Sequence, residues 1–324
     1  MGSYYLSRRL VQAIVTIAMI VALNFVLFRL MPGSPERATI RIPGVSAEVY
    51  QQTRARLGLD KAIFPDQFVA YIGTTLQGDL GYSYKYRGQP VSEVIGSRVW
   101  PTLILFGLGE LVAIVAGLAL GAYTGWRRGG PVDYAGNGLS LILYSMPYFL
   151  LGMILLVIFG VGLGWFPVSG MFNVGASYAS FTDQLFDFAR HLALPLATVS
   201  LGLIGQYSIL MRSSIIETLG EDYVTTARAK GLTESHVLRN HAIPNALLPT
   251  VSLIAINLGY LIAGAITAEV VFNWPGLGTL AVEALTSRDY PVLQGIFLFL
   301  SVAVVLANLA ADLIYGLLDP RVQA

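Results

Sequence analysis

Long apolar runs broken by short charged stretches set the pattern of this chain. Leu10 to Phe28 carries no charge, a run of 19 residues. At about 1.5 Å per residue that is roughly 28 Å of helix, close to the hydrocarbon thickness of a bilayer. Thr102 to Trp126 holds a single charge, Glu110, and Tyr134 to Thr182 runs 49 residues without one. One helix cannot use 49 residues, so this stretch reads as a span to about Gly162 and then a Gly/Ser/Asn/Phe-rich loop over Val168–Ser180. Leu192 to Met211 gives 20 uncharged residues and Ala242 to Ala268 gives 27. Tyr290 to Ala311 gives 22, continuing past Asp312 to about Leu318. The pattern predicts an all-α integral membrane protein with six transmembrane helices. No run alternates with period 2, which excludes a transmembrane barrel.

Composition agrees. Of 324 residues 55% are apolar and only 12% charged, against about 25% charged in an ordinary soluble domain. A net charge of +1 provides no basic excess to neutralise phosphates, which argues against nucleic acid as a partner. Without cysteine there are no disulfides, thiolate metal sites or cysteine nucleophiles, and the three histidines are too scattered for a metal cluster. No G-x-x-x-x-G-K-[ST], H-E-x-x-H or G-x-S-x-G occurs, so the sequence offers no ATP cradle, no familiar hydrolase constellation and no candidate catalytic residue.

Positive charges beside short loops set the orientation. Arg8, Arg9, Arg127, Arg128, Arg212, Arg228, Lys230, Arg239 and Arg321 fall on one side, against Arg190 and Arg288 on the other. Both termini are therefore expected in the cytoplasm. The first run reads as an anchor, being long for a signal peptide and followed by the poor cleavage site Met31-Pro32-Gly33. The chain divides into 1–31 (N-terminus and first span), 32–99 (an extracytoplasmic segment) and 100–324 (the remaining spans, with a cytoplasmic loop at 215–244). Within 32–99 are Arg54 and Arg56, Leu57-Gly58-Leu59-Asp60, Gly78-Asp79-Leu80-Gly81 and the aromatic group Tyr82, Tyr84 and Tyr86. On residues alone this segment reads as a passive cap of short helices.

Charged groups inside spans are few. Glu110 reads as a helix-packing hydrogen bond, and Glu269 as gating or packing near the outer mouth. Gly117, Gly121 and Gly125, at spacing four, make a stripe that lets another backbone approach closely.

The informative stretch lies between the fourth and fifth spans. Ile215–Leu219 extends the fourth helix and Gly220 ends it; Asp222 is an expected N-cap for a short helix over Tyr223–Lys230, with Gly231 as its C′ glycine. Thr233 is expected to cap a second helix to about His241, before Pro244 and Pro249 turn the chain back to lipid. The first helix is rich in small residues (Thr225, Thr226, Ala227, Ala229), with Arg228 and Lys230 beside them. Such a helix suits insertion into another protein's groove, or a flat seat on anionic headgroups.

This loop resembles the E-A-A-x3-G-x9-I-x-L-P motif of ABC importer permeases. Aligned on Gly231, Ala227 and Pro244 also match, while Thr225 stands for Glu, His241 for Ile and Ile243 for Leu. Those departures are typical of the dipeptide/oligopeptide/nickel branch. Asp222-Tyr223-Val224-x-Thr226-Ala227-Arg228-Ala229-Lys230-Gly231-Leu232 is similar to its first permease subunit, as is Asn245-Ala246-Leu247-Leu248-Pro249. The likeness continues through Glu269–Gly278, Arg288–Gly295 and Leu318–Arg321, and at the N-terminal end through Arg29–Pro35, Leu57–Asp60, Gly78–Gly81 and Ser145–Phe149.

The resemblance implies a type I ABC importer permease fold of six helices in the plasma (inner) membrane of a bacterium or archaeon. It also implies a homologous second permease, two cytoplasmic ABC ATPases and an extracytoplasmic substrate-binding protein. ATP and Mg would be bound by the ATPases, leaving this chain without a cofactor. The coupling residues would be Asp222, Thr225, Thr226, Ala227, Arg228, Ala229, Lys230, Gly231 and Pro244, with the first short helix docked in an ATPase cleft. Asn24, Ser145, Asn257, Glu269 and Asn273 are candidates for the pathway or its gate, and 32–99 would help receive the binding protein. Peptide import is the implied function, nickel-chelate import the alternative within the family, and an ion-coupled secondary carrier the alternative from another class.

Overall fold

The computed structural model describes residues 3–30, 48, 51, 62–86, 88–260 and 266–318. The Arg54–Asp60 features, Pro32–Pro35 and the closing Asp319-Pro320-Arg321 lie outside the described residues. Among the described residues every regular element is a helix, and extended pairing is limited to one bridge between Tyr82 and Pro90. The helices are α1 (Ser3–Leu30), α2 (Phe68–Leu76), α3 (Val91–Trp126), α4 (Pro131–Ser145), α5 (Tyr148–Leu155), α6 (Phe181–Thr218), α7 (Asp222–Ala229) and α8 (Glu234–Val237). They continue as α9 (Ile243–Ala246), α10 (Leu248–Tyr260), α11 (Ile266–Val271), α12 (Leu277–Ser287) and α13 (Tyr290–Leu318). Wider π-type turns at Ile63–Gln67, Leu156–Gly162 and Leu238–Ala242 lead into or out of α2, α5 and α8.

Four of these helices are long and apolar enough to cross a membrane: α1, α3, α6 and α13. A fifth span results if α4 and the helix from Tyr148 to Gly162 count as one. Those two are bent by 105° rather than continuous as the charge-free run predicts. The cause is local. The ring of Pro147 disfavours the helical conformation at the residue before it, and Met146 is extended (φ −79°, ψ 125°).

The chain forms two compact units. In the first, residues 1–102 and 275–324, α1 and α13 run antiparallel: Phe28 stacks near Phe297 (ring centroids 5.9 Å) and Arg9 pairs with Asp312 (3.0 Å). Asn24 of α1 donates from Nδ2 to the Tyr71 hydroxyl of α2 (3.1 Å) and to the Gln294 carbonyl of α13 (3.2 Å). The loop before α3 is fastened to the α12–α13 junction. Ser83 Oγ and the Lys85 amide both donate to Asp289 Oδ2, while Lys85 Nζ (2.9 Å) and the Tyr86 hydroxyl donate to Glu283 of α12. Asp289 is fully buried. Burial alone would push the Glu283 carboxyl up, but the hydrogen bonds from Tyr86 and Lys85 and the charges of Lys85 and Arg98 outweigh it and hold it below its ordinary value.

In the second unit, residues 103–274, α6 is the helix around which the others gather. It starts at Ser180, whose Oγ accepts the Asp183 amide as an N-cap. The expected glycine stripe faces α6 along its length. A Cβ on Gly117 would stand 2.6 Å from the Tyr207 Cβ, one on Gly121 would strike the Ser208 carbonyl, and one on Gly125 would lie 2.9 Å from the Arg212 carbonyl. Opposite, α4 is tied to α6 by Ser140 Oγ donating to Ser208 Oγ (2.8 Å) and by an Arg212–Asp133 ion pair. Apolar side chains close two cores, one around Leu105, Leu192, Val199 and Trp274, the other around Met211, Ile215, Leu238 and Ala242. The loop 163–180 is anchored on α6 at Asp187, which accepts from the Asn173 amide (2.9 Å) and the Tyr178 hydroxyl (2.6 Å).

Candidate functional site

The loop singled out in the sequence folds as a helical hairpin at the end of α6. The long helix stops at Thr218, Leu219 and Gly220 make the turn, and α7 begins at Asp222. Glu221 occupies the N-cap position in extended conformation with no side-chain cap bond, so Asp222 is the first helical residue rather than the cap. Its acidity still suits the positive end of the helix dipole. Gly231 takes the expected left-handed turn (φ +79°), its amide donating to the Arg228 carbonyl at 2.9 Å. Thr233 sits at the N-cap of α8 without a side-chain cap bond. The second limb is not one helix to His241: α8 ends at Val237, a wider turn follows to Ala242, and α9 carries Pro244 in its first turn.

Two interactions hold the hairpin. Val224 and Ala227 of α7 are buried against Val237 of α8, with Leu219 beside them. Across the turn, Arg228 donates to Glu234 with two prongs, Nε to Oε1 at 2.8 Å and Nη2 to Oε2 at 3.1 Å. The Arg228 hydrogen bond, against a smaller burial effect, holds the Glu234 carboxyl below its ordinary range. Ala227 therefore serves the hairpin's own interior, although the sequence presents it as part of a docking face. The exposed surface of α7 consists of Asp222, Tyr223, Thr225, Thr226, Arg228 and Ala229, followed by Lys230. Apart from Tyr223 and the two cations these are short side chains, which leave the helix backbone approachable.

The pathway candidates fall in both units. Asn24 is buried in the first unit as the three-helix tie described above. In the second unit Ser145 is exposed at the α4–α5 bend, its hydroxyl returned to the Ile142 carbonyl (3.1 Å). Glu269 is fully buried in α11, and its carbonyl accepts the Trp274 amide (2.8 Å). Between them Asn273 is exposed with φ +48°, a conformation Asn tolerates better than most residues.

Asn257 is drawn into a polar knot that the sequence read only from one side. Glu110 of α3 accepts the Tyr207 hydroxyl of α6, and Asn257 of α10 donates to that same hydroxyl at 3.0 Å. Glu110 and Tyr207 are both buried. The knot joins three helices, two of them flanking the hairpin in sequence. Tyr207 gave no signal of its own, since a tyrosine in an apolar run looks like core. Among the described residues no three His, Cys, Asp or Glu side chains gather as a metal site. The hairpin can transmit force or bind a partner, and it presents no nucleophile with a base.

Residues 117–324 match the family described as "Binding-protein-dependent transport system inner membrane component", and residues 3–105 match the N-terminal part of such components. A Brucella suis protein named as a peptide permease is 40% identical over 321 residues, 98% of each chain. The glutathione transport system permease protein GsiC of Salmonella choleraesuis is 39% identical over 98% of each chain. The dipeptide transport system permease protein DppB of Escherichia coli is 37% identical, again over 98% of each. Among solved structures, a chain of the inward-facing MetNI methionine ABC transporter aligns over 70% of this chain and 96% of its own, with a TM-score of 0.57 at 18% identity, a likeness of fold alone. With a family match over most of its length and relatives alike from end to end, the chain belongs to the binding-protein-dependent transport system inner membrane components, the permease subunits of ABC importers.

Proposed function

We propose that this chain forms half of the translocation pore of a peptide importer, crossing the plasma membrane six times with both termini in the cytoplasm. The observation that carries the substrate class is the end-to-end similarity to proteins named for peptide, dipeptide and glutathione transport. Nickel chelates are the less favoured cargo, since none of those names points to them. In this reading the sixth crossing is made by the stretch holding α10 and α11. A second permease completes the pore, two ABC ATPases bind ATP and Mg, and a binding protein delivers substrate to the side on which 32–99 lies.

The hairpin is the coupling element. The chain has no P-loop, so energy from nucleotide must enter as motion, and α7 is the element whose short, exposed side chains suit a cleft. Its packing through Val224 and Ala227 on Leu219, the residue that follows α6, lets a push on α7 reach that helix. Asn257, Glu269, Ser145 and Asn273 are the second unit's candidates for the pathway or gate.

Purification in mild detergent, with mass spectrometry of what accompanies the chain, tests the assembly: a second permease and two ATPases are expected, and a chain that travels alone would overturn it. Gly231→Val should then leave ATP hydrolysis running without peptide uptake, because a β-branched residue resists positive φ. Wild-type coupling in that variant would remove the hairpin from the mechanism.

A further inference from the structure

Residues 62–76 lie between the first two long helices, in a segment whose sequence reads as wholly outside the membrane. We propose that this stretch, the π-turn Ile63–Gln67 and helix α2, is seated in the edge of the bilayer, with lipid acyl chains covering its outer face.

Gln67 to Gly78 contains no charged residue. Twelve residues are too few to cross a bilayer, and a run of that length suits an interfacial position. One side of the stretch packs on α1. Phe64, Phe68 and Tyr71 surround the Phe25 ring at 5.6, 5.3 and 5.4 Å between centroids, and the Tyr71 hydroxyl accepts from Asn24. The other side is apolar and open: Ile63 is 50% exposed, Val69 62% and Leu76 82%. Val69, Ile72 and Leu76 recur at helical spacing and so share a face.

Two spans give the depth independently. Asn24 lies four residues inside the end of the uncharged run at Phe28, and Gln294, whose carbonyl Asn24 also reaches, lies four residues into α13. At about 1.5 Å per residue both place the Tyr71 hydroxyl roughly 6 Å inside the ends of these uncharged runs, near the edge of the hydrocarbon. The helix on which α2 packs, α1, is itself open at Leu23 and Leu27, which are 58% and 54% exposed. The stretch carries one charge, the exposed Asp66 of the π-turn, which has to reach headgroups or water and so suits an edge position rather than a deeper one. The Thr74 hydroxyl returns to the Ala70 and Tyr71 carbonyls, and the Arg29 guanidinium lies over the Phe25 ring at 5.5 Å.

The absence of cysteine makes the test direct. Single cysteines at Val69 and at Ile63 carry a nitroxide in the chain purified with its accompanying subunits and returned to phosphatidylcholine/phosphatidylglycerol vesicles. Leu23→Cys is the lipid reference and Gln89→Cys the water reference. Relaxation by oxygen at Val69 and Ile63 should match that at Leu23, with little effect from a water-soluble nickel chelate. Relaxation by the chelate as strong as at Gln89 would overturn the proposal in favour of a water-facing cap. Protection from both reagents would overturn it in favour of a protein partner. Two exposed positions keep the test available if one variant fails to fold.

Discussion

Arg212 reaches from α6 to Asp133 in the first turn of α4 with two prongs, Nε to Oδ1 at 2.5 Å and Nη2 to Oδ2 at 2.8 Å. Asp133 also accepts the Gly129 amide and is almost wholly buried, while Arg212 keeps a quarter of its side chain in contact with the surroundings. The pair sits two turns before the hairpin and fixes where α6 leaves α4.

Removing one partner of such a pair strands the other. Asp133→Ala should cost about 2 kcal/mol, the buried-pair penalty discounted for the exposure of Arg212. Thermal unfolding in detergent reads this as a lowered midpoint, and an unchanged midpoint would make the pair ornamental.

The glycine stripe offers a comparison within one helix. Gly121→Ala should destabilise by about 1–3 kcal/mol, since the new methyl meets the α6 backbone. Gly107→Ala, also in α3 but with nothing within 4 Å of the new methyl, should instead stabilise by about 0.5–1 kcal/mol. Equal effects in the two variants would show that α3 and α6 do not approach as closely as described.

Adjacent alanines of α7 should behave differently. Ala227→Trp places a large ring in the Val224–Val237 contact and should raise hydrogen exchange throughout 222–237. Ala229→Trp points outward, should leave exchange unchanged, and should reduce the amount of ATPase that co-purifies. If Ala229→Trp retains the full complement of ATPase, α7 does not enter a cleft by this face.

Acidity and alkalinity should each release the loop before α3. Glu283 is held below its usual 4.5, so its contribution is complete above that value and is lost as pH falls through the lower folded value. Lys85 is held above its usual 10.5 and Tyr86 above 10.0, so theirs is present at neutrality and lost only as pH rises beyond those values. Exchange at the Ser83 and Lys85 amides should therefore be slow at neutral pH and become faster on the acid side of 4.5, after correction for intrinsic rates. A flat profile through that acid limb would mean that the Asp289 contacts alone hold the loop.

Glu110→Gln should preserve the three-helix knot, because an amide oxygen still accepts from Tyr207. Glu110→Ala leaves the buried Tyr207 hydroxyl without its acceptor and should cost about 1–3 kcal/mol. Similar unfolding midpoints in the two variants would contradict the arrangement.

The sequence carried much of this at short range. Spacing four between Gly117, Gly121 and Gly125 announced a close backbone approach, and the hairpin's Gly231 announced its positive φ. What it could not carry was partnership. Ser83 and Asp289 meet across 206 positions, and no periodicity in either stretch encodes the other. Tyr207 was hidden for the same reason. The break at Met146 was readable from Pro147, but counting charges says nothing about backbone, so a 105° bend passed as one span. Ala227 shows a subtler limit: a small residue permits close packing on either side of a helix, and only the position of Val237 decides which.

Helix α6 runs unbroken for 38 residues, with Asp187 near its start and Thr218 at its end. Those two are about 46 Å apart at 1.5 Å per residue, more than the thickness of the hydrocarbon layer. One end holds the carboxylate to which Asn173 and Tyr178 are moored, and the other carries the root of the hairpin. If α6 moves as one body through Pro195, a small tilt at Thr218 displaces the Asp187 mooring in the opposite sense. The loop moored at Asp187 and the root of the hairpin are thus joined by one helix, with a backbone hydrogen bond missing at Pro195.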